Sequence, residues 1–398
     1  MVFVSSLTPP KAPEPTPLEN LVAMPHRLFF FGGIVQTLFL IALLLFQYGF
    51  SASLNISTIF YHVYGMSFGA FTQFFVGFLL TVFPRYLARP NPPKSSYLLA
   101  GVGINIGALS LFIAAFSSNI FLWVAFVLIF ISYVKLFWEL VKIQLESKVE
   151  NKTDTTWLLI SFGFGLFGQI LLILSNFYNF EILATGVTFY LYLFFVVMTV
   201  SQKMIPFFAA NVMQNYIMKK SKYFLHILFF ALIAKVLLLE FGFNSLLADL
   251  VIFITITYEL VKWRLPFKGS PAILWVLFLS IWWSSVGFLL FVIDGFLKLF
   301  GSSFHLGDAP LHALALGYFT TVLIGFGTRV LLGHSGREPV ADKYTAIIFY
   351  LIQVMTLIRI CADVFNGFYL HAIVLAVIFW FLVFGWWSGR FGKILFEK

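Results

Sequence analysis

Apolar stretches of about 20 residues recur along almost the whole chain, separated by short polar breaks. A helix of this length crosses the roughly 30 Å hydrocarbon core of a bilayer, since each residue adds about 1.5 Å. The pattern predicts an all-α polytopic membrane helix bundle of about twelve transmembrane helices. The predicted spans are 27–47, 59–83, 97–116, 119–140, 156–176, 181–205, 222–241, 245–263, 272–299, 309–332, 343–363 and 368–388.

Tails are predicted at both ends of this transmembrane domain, which occupies residues 27–388. Residues 1–26 form the N-terminal tail and residues 389–398 the C-terminal one. The first eighteen residues contain five prolines and no apolar core, which indicates a flexible tail and not a cleavable signal. The first predicted helix is therefore expected to act as an uncleaved anchor.

The charges between the predicted helices alternate, because every second loop is basic. Short loops rich in Lys and Arg stay on the cytoplasmic side of a membrane. The basic loops contain Arg85, Arg89 and Lys94; Lys142, Lys148 and Lys152; Lys219, Lys220 and Lys222; Lys262, Arg264 and Lys268; Arg337 and Lys343; and Arg390, Lys393 and Lys398. Both termini are thus predicted to be cytoplasmic.

Composition excludes several classes of protein. With 61% hydrophobic and 10% charged residues, the chain cannot form a soluble globule with a polar coat, so its main partner is the lipid bilayer. The net charge of +9 is explained by the basic loops and gives no support to nucleic-acid binding. The single cysteine, Cys361, excludes an internal disulfide and a multi-thiolate cluster within one chain.

Two histidines are the leading candidates for chemistry. His62 and His312 lie near the outer ends of predicted helices two and ten, which run in the same direction, so they are expected at similar depth. A neutral imidazole buried in a membrane is a suitable axial ligand for haem iron. Each could instead be an interfacial histidine that makes ordinary hydrogen bonds between helices.

Gly65 and Gly69 share the helix face of His62, at i+3 and i+7. Glycines there would leave room for a flat macrocycle. They could equally form a small-residue seam that lets two helices pack closely.

The remaining histidines offer weaker alternatives. His305, in an outer loop, or His371, at the start of predicted helix twelve, could replace one member of the outer pair. His26 and His334 both fall at the cytoplasmic face, where a second site could form. His334 also has a plain role, because a cationic side chain suits the C-terminal end of a helix.

Charged residues inside predicted spans are further candidates, because placing a charge in lipid costs at least a few kcal/mol. Lys235, Asp294 and Arg359 are the least explained by loops, and pairing among them is possible. Lys203 and Arg329 lie near helix ends, where long side chains can reach the interface.

Three segments carry motifs in a fixed order. They are HVYGMSFG at 62–69 with GFLLTVFP at 77–84, MIPFF at 204–208 followed by Asn211, and HALALG at 312–317 with TRVLLGHSGR at 328–337. Together they resemble the signatures of the NnrS family of bacterial haem- and copper-containing membrane proteins. Since the motifs run from helix two to helix ten, the resemblance covers nearly the whole chain.

This resemblance implies a fold similar to the twelve-helix catalytic subunit of haem-copper oxidases, in which helices two and ten each supply a histidine to a low-spin haem. By position, His62 and His312 would bind one haem b. The family also implies a bacterial inner-membrane protein involved in tolerance of nitric oxide or nitrosative stress. Oxygen reduction is disfavoured, because predicted helix six has no histidine and helix seven has only His226.

The chain departs from the family pattern in three places. Tyr64 and Gly65 stand where a His-Glu pair is usual, Ala209 and Ala210 replace a Thr-Arg pair, and Lys203 replaces an Arg. If the missing His-Glu pair serves copper, this chain lacks that part of a copper site.

The mechanism stays open at this stage. Nitric oxide could bind ferrous haem if one axial histidine is weak, or a six-coordinate haem could only transfer electrons, perhaps from quinol. A haem-free membrane transporter or channel is the alternative function, and a haem spectrum would separate the two classes.

Two groups of polar residues complete the predictions. Haem propionates seek cationic or hydrogen-bonding partners, for which Tyr61, Tyr64, His305 and Arg359 are the candidates. At the cytoplasmic face, Arg329, His334 and Arg337 are expected to cluster with Lys203 and Asn211, because both motifs end on that face.

Overall fold

Residues 14–213 and 216–397 are described by a computed structural model, and every regular element among them is helical. The all-α bundle is therefore confirmed, and each of the predicted spans corresponds to a long helix. The helices are α1 (Pro25–Gly49), α2 (Ile59–Tyr86), α3 (Lys94–Ala114), α4 (Ile120–Glu146), α5 (Thr153–Leu174), α6 (Glu181–Val212), α7 (Phe224–Glu240), α8 (Leu246–Trp263), α9 (Ala272–Leu299), α10 (Ala309–His334), α11 (Lys343–Val364) and α12 (Tyr369–Phe396).

Ten of these helices are long and apolar enough to cross a membrane, and α7 and α8 are the exceptions among the described residues. Helix α7 has 17 residues, and α8 contains three charged side chains, Asp249, Glu259 and Lys262. These two helices pack against each other, and α8 also packs on α9. They are thus the two shortest of the twelve helices.

Helices α2, α6 and α10 form the interior of the bundle. In their most apolar windows, 94%, 78% and 78% of the residues are buried, whereas the other spans reach at most 61%. Neighbours in sequence pack side by side, and α12 returns to pack against α1. The motifs at 62–69, 204–208 and 312–317 therefore all lie on the inner helices.

Each inner helix contains a π-helical stretch. The stretches are Ile59–Phe71 in α2, Val187–Phe194 in α6 and Ala313–Thr320 in α10. Such turns are rare and occur frequently at functional sites, because the wider turn changes the direction of side chains. His62 lies inside the first stretch and His312 directly precedes the third. The apolar periodicity of the sequence did not indicate these π-helical stretches.

The first and last helical elements of the described residues pack together. A short helix, Pro17–Leu21, begins with a capping box between Thr16 and Glu19. The Asn20 side-chain amide donates to the Phe396 carbonyl at 3.1 Å, and Leu395 is fully buried. Residues 1–13 of the predicted N-terminal tail lie outside the described residues. The later parts of both predicted tails belong to packed helices.

Charged side chains within the long helices pair with local partners. The pairs are Lys235 with Asp249 at 2.7 Å, Asp294 with Lys298 at 2.7 Å, and Arg359 with Asp363 at 2.6 Å. Lys235, Asp294 and Arg359 therefore do not pair with one another. The partners of Asp294 and Arg359 lie one helical turn away on the same helix, whereas Asp249 comes from a neighbouring helix.

Candidate functional site

His62 of α2 and His312 of α10 lie at the same end of the inner helices. Their charged forms would repel each other, and Arg359 of α11 would repel a charge on either imidazole. Both histidines are partly buried. Two imidazoles and one guanidinium from three helices thus lie within electrostatic range of one another.

The protonation of His312 follows from its hydrogen bond. Its Nδ1 atom lies 2.9 Å from the backbone carbonyl of Asp308. Because a carbonyl oxygen only accepts, Nδ1 must carry the proton, and Nε2 therefore keeps its lone pair. A hydrogen bond from the other ring nitrogen to a carbonyl is typical of metal-binding histidines.

The His62 side chain makes no hydrogen bond within residues 14–213 and 216–397, and its Nδ1 atom is buried. A purely structural histidine in a membrane would be expected to bond across the helix interface. A buried ring nitrogen without a partner is costly, so it requires an explanation such as a bound ligand.

Arg359 is the cation that accompanies the pair. Its guanidinium binds Asp363 at 2.6 Å and lies 6.0 Å from the centre of the Tyr369 ring. Of the four candidate propionate partners, Arg359 is the guanidinium, and its charge acts on both histidines. By contrast, Tyr61 donates to Gln47 of α1.

Gly65 and Gly69 do not leave room for a macrocycle, so that prediction is corrected. A Cβ atom at Gly65 would come within 2.9 Å of Leu40 and of Leu111, and one at Gly69 within 3.1 Å of Ala108. Both glycines therefore face α1 and α3. They belong to a seam of close helix packing, which was the alternative interpretation of their spacing.

Tyr64 also points away from the histidine pair. Its hydroxyl accepts a hydrogen bond of 2.9 Å from the Gln169 side chain on α5, and its ring packs on Phe126 of α4. His305 and His371 are exposed and remain outside the buried pair. His226 lies at the other end of the bundle, edge-on to Trp157 with ring centres 5.0 Å apart.

Aromatic side chains close the space between α2 and α10 below the pair. The Phe71 and Phe319 rings are 6.3 Å apart, and those of Phe78 and Phe326 stack at 5.7 Å. Beyond Phe71, an apolar cavity of about 40 Å³ separates the helices. It is far too small for a porphyrin and neither histidine lines it, so it is not a haem cavity.

A second pair of histidines meets at the opposite end of the inner helices. The ring centres of His26, in α1, and His334, at the end of α10, are 4.6 Å apart. His26 is 2% exposed, and its Nδ1 lies 3.5 Å from the Thr81 hydroxyl. Arg85 of α2 lies 3.4 Å from Nε2 of His334. These distances define the geometry of the second site that was predicted as possible at this end.

Hydrogen bonds also define the tautomers of this second pair. Nδ1 of His334 donates to the Val330 carbonyl at 3.0 Å, so its Nε2 atom accepts from Arg85. The Thr81 hydroxyl donates to the Gly77 carbonyl at 2.9 Å and can only accept from His26. Both Nε2 atoms therefore carry lone pairs. Thr81 and Arg85 are i and i+4 on α2, a spacing that could have identified them from the sequence.

The predicted cluster at this end is only partly correct. The Arg329 guanidinium stacks on Phe208 of α6 at 4.1 Å, which confirms that α6 and α10 meet there. Lys203, however, binds Asp154 of α5 at 2.9 Å, and Arg337 binds Glu397 at 2.6 Å. Asn211 is exposed and His334 turns to His26. The five residues separate because α6 also packs against α5, whose carboxylate attracts Lys203.

Within the described part of the chain, no three His, Cys, Asp or Glu side chains form a group that could hold a metal ion. A sequence model of one protein family, described as NnrS protein, matches residues 20–398. No curated protein matches the chain.

Proposed function

Because the chain belongs to the NnrS family, we propose that it is a b-type haem protein of the bacterial inner membrane that contributes to tolerance of nitric oxide or nitrosative stress. The observation that carries the haem proposal is that His62 and His312 lie at the same end of two inner helices, within electrostatic range of each other. One imidazole has its tautomer fixed and the other has a buried nitrogen without a partner in the described chain.

Each side chain of this site has a role in the proposal. Nε2 of His312, presented by the hydrogen bond to Asp308, and a ring nitrogen of His62 would hold the haem iron. Arg359 would balance the negative charge of a propionate, and Phe71 and Phe319 would separate the site from the small cavity below. Bound haem would supply a one-electron redox centre.

Copper at the place of the usual His-Glu pair receives no support from the residues present. Tyr64 is hydrogen-bonded to Gln169, and Gly65 has no side chain and faces Leu40. Neither position offers a second imidazole or a carboxylate. The proposal is accordingly a haem site without copper at this position.

The haem proposal is tested by a pyridine haemochrome assay on the purified full-length protein. The expected result is haem b in a fixed ratio to the protein. Its absence from folded protein produced in haem-sufficient cells would favour the haem-free transporter or channel.

A second measurement separates the two haem mechanisms. Nitric oxide added to the reduced protein would shift the Soret band if a histidine is displaced. An unchanged spectrum, together with oxidation or reduction by a quinone analogue, would favour electron transfer with quinol as the partner.

A further inference from the structure

Buried polar oxygens without partners concentrate on two neighbouring helices. Among the described residues, seven buried side-chain oxygens lack a hydrogen-bond partner, and five of them belong to α5 and α6. These five are Gln169 on α5, and Thr188, Thr199, Ser201 and Gln202 on α6. All five residues are 0% or 1% exposed, so lipid headgroups and bulk water do not satisfy them.

The hydroxyl groups of Thr188 and Thr199 in α6 differ from most hydroxyl groups in the helices. Threonine and serine in a membrane helix usually donate to the carbonyl one turn earlier, which satisfies the hydroxyl locally. Hydroxyls that do so here are those of Thr81, Ser110, Ser161, Ser175, Thr185, Thr328 and Thr356. Thr188 and Thr199 do not, so their buried hydroxyl oxygens have no hydrogen-bond partner among the described residues.

Four α6 side chains form what we call the α6 polar band: Gln202, Thr199, Tyr192 and Thr188. Thr188 and Tyr192 lie in the π-helical stretch, and both face glycines of α5. Fourteen positions separate Thr188 from Gln202, which is about 21 Å along a helix. Ser201 is two residues from Thr199, roughly 200° around the helix, and is not part of the band.

The α6 polar band contacts polar groups of other helices at both ends and in the middle. At one end, the Gln202 amide donates to Asp154 at 3.0 Å, and Asp154 also binds Lys203. At the middle, the Tyr192 hydroxyl lies 2.7 Å from that of Thr72 on α2. At the far end is Gln169, whose amide binds the Tyr64 hydroxyl. Tyr64 is two residues from His62, so the band extends to the level of the haem candidate.

We propose that the α6 polar band holds a file of water molecules that gives protons access from Asp154 to the level of Tyr64 and His62. Buried water typically makes about three hydrogen bonds to polar groups that are otherwise unsatisfied, and the unpartnered oxygens of the band provide such acceptors. Unpaired polar groups inside a membrane commonly mark proton or ion pathways. This assignment concerns water and protons, and only their use at His62 rests on the proposed function.

The proton movement needs no other reactant. A proton that arrives at Asp154 passes to the first water, which releases one of its own protons to the next. O–H bonds form and break in equal number, so only charge moves along the file. Asp154 suits the entrance because its side chain is 20% exposed, in contrast to the fully enclosed oxygens of the band.

Thiol accessibility tests the water path without depending on haem. Cys361 is the single cysteine, so Cys361→Ser gives a thiol-free chain. Thr199→Cys and Thr188→Cys in that background are exposed to Ag⁺ in nitrate buffer, and the remaining thiol is counted with a maleimide dye after denaturation. The control is Thr356→Cys, because Thr356 is 0% exposed and its hydroxyl donates locally to Ile352.

The expected result is that both band thiols react at least tenfold faster than the control. Gln202→Leu, near the entrance, should slow Thr188→Cys tenfold, whereas Gln169→Leu, at the far end, should leave Thr199→Cys unchanged. Equal rates for band and control thiols would overturn the proposal. The proposal would also be overturned if Gln202→Leu did not change the reaction rate of Thr188→Cys. This conclusion requires that the double variant has the same elution volume and Tm as the Thr188→Cys parent.

Discussion

The rings of His26 and His334 lie 4.6 Å apart at the end of the bundle opposite to His62 and His312. This contact joins the start of α1 to the end of α10. His312 and His334, the two histidines of α10, thus belong to different pairs at different depths of the bundle.

Separate pairs predict separable effects of mutation. His334→Ala and His26→Ala should leave the haem spectrum assigned to His62 and His312 unchanged, because they lie beyond the Phe78 and Phe326 rings. Optical spectra at equal protein concentration check this. Loss of all haem in both variants, with the fold retained, would place the haem at this second pair.

The basic loops predict which side of the membrane each end of the bundle faces. Reporter fusions after Pro93, Asn151 and Lys220 should all report the cytoplasm, and one near Asp308 should report the outside. Activity of a cytoplasmic and a periplasmic reporter at each position checks this. Reversed results at any two positions would contradict the assigned topology and the outer location of His62.

The buried pair between α7 and α8 should matter for stability. Lys235 and Asp249 are 0% and 1% exposed, and the Lys235 ammonium also lies 3.7 Å from the centre of the Phe291 ring. Lys235→Met leaves an uncompensated buried carboxylate, which costs about 3–5 kcal/mol. Thermal unfolding in detergent should show a lower Tm.

The double variant Lys235→Met with Asp249→Asn is the matched test of this ion pair. It removes both charges and should recover most of the lost stability. If it is as unstable as the single variant, packing and not charge explains the loss.

Gly65 distinguishes helix packing from haem binding. Gly65→Val places methyl groups against Leu40 and Leu111, and such overpacking costs about 1–3 kcal/mol. Tm should fall, while the absorption spectrum of the protein that remains folded should not change. A changed Soret band at unchanged Tm would show that Gly65 contacts the cofactor.

Arg359 should influence the redox potential of the site. Its positive charge would disfavour ferric iron at the proposed haem site, so Arg359→Gln should lower the midpoint potential by roughly 50 mV. The control is Arg390→Gln, because Arg390 also pairs with an aspartate, Asp342, but is distant from His62. Redox titration followed by absorbance compares the two. Equal shifts of the midpoint potential in the two variants would show that Arg359 is not part of the proposed site.

The helices could be predicted from the sequence because crossing a bilayer is a property of each apolar stretch by itself. The location of His62 and His312 at the same end of two inner helices followed from equal depth on helices that the family resemblance pairs. The direction of Gly65 could not be predicted, because it depends on which helices flank α2. For the same reason, the sequence could not predict that Asp249 is the partner of Lys235. The π-helical turns could not be predicted either, because local spacing does not encode them.

Haem content of histidine variants tests the central claim most directly. Reduced-minus-oxidised spectra and extracted haem are measured at equal protein level for wild type, His62→Ala and His312→Ala, with the exposed His305→Ala and His371→Ala as controls. We expect haem b in the wild type and both controls, and its loss or a change to a five-coordinate spectrum in His62→Ala and His312→Ala. Unchanged haem content and spectra in both of these variants would contradict the assignment.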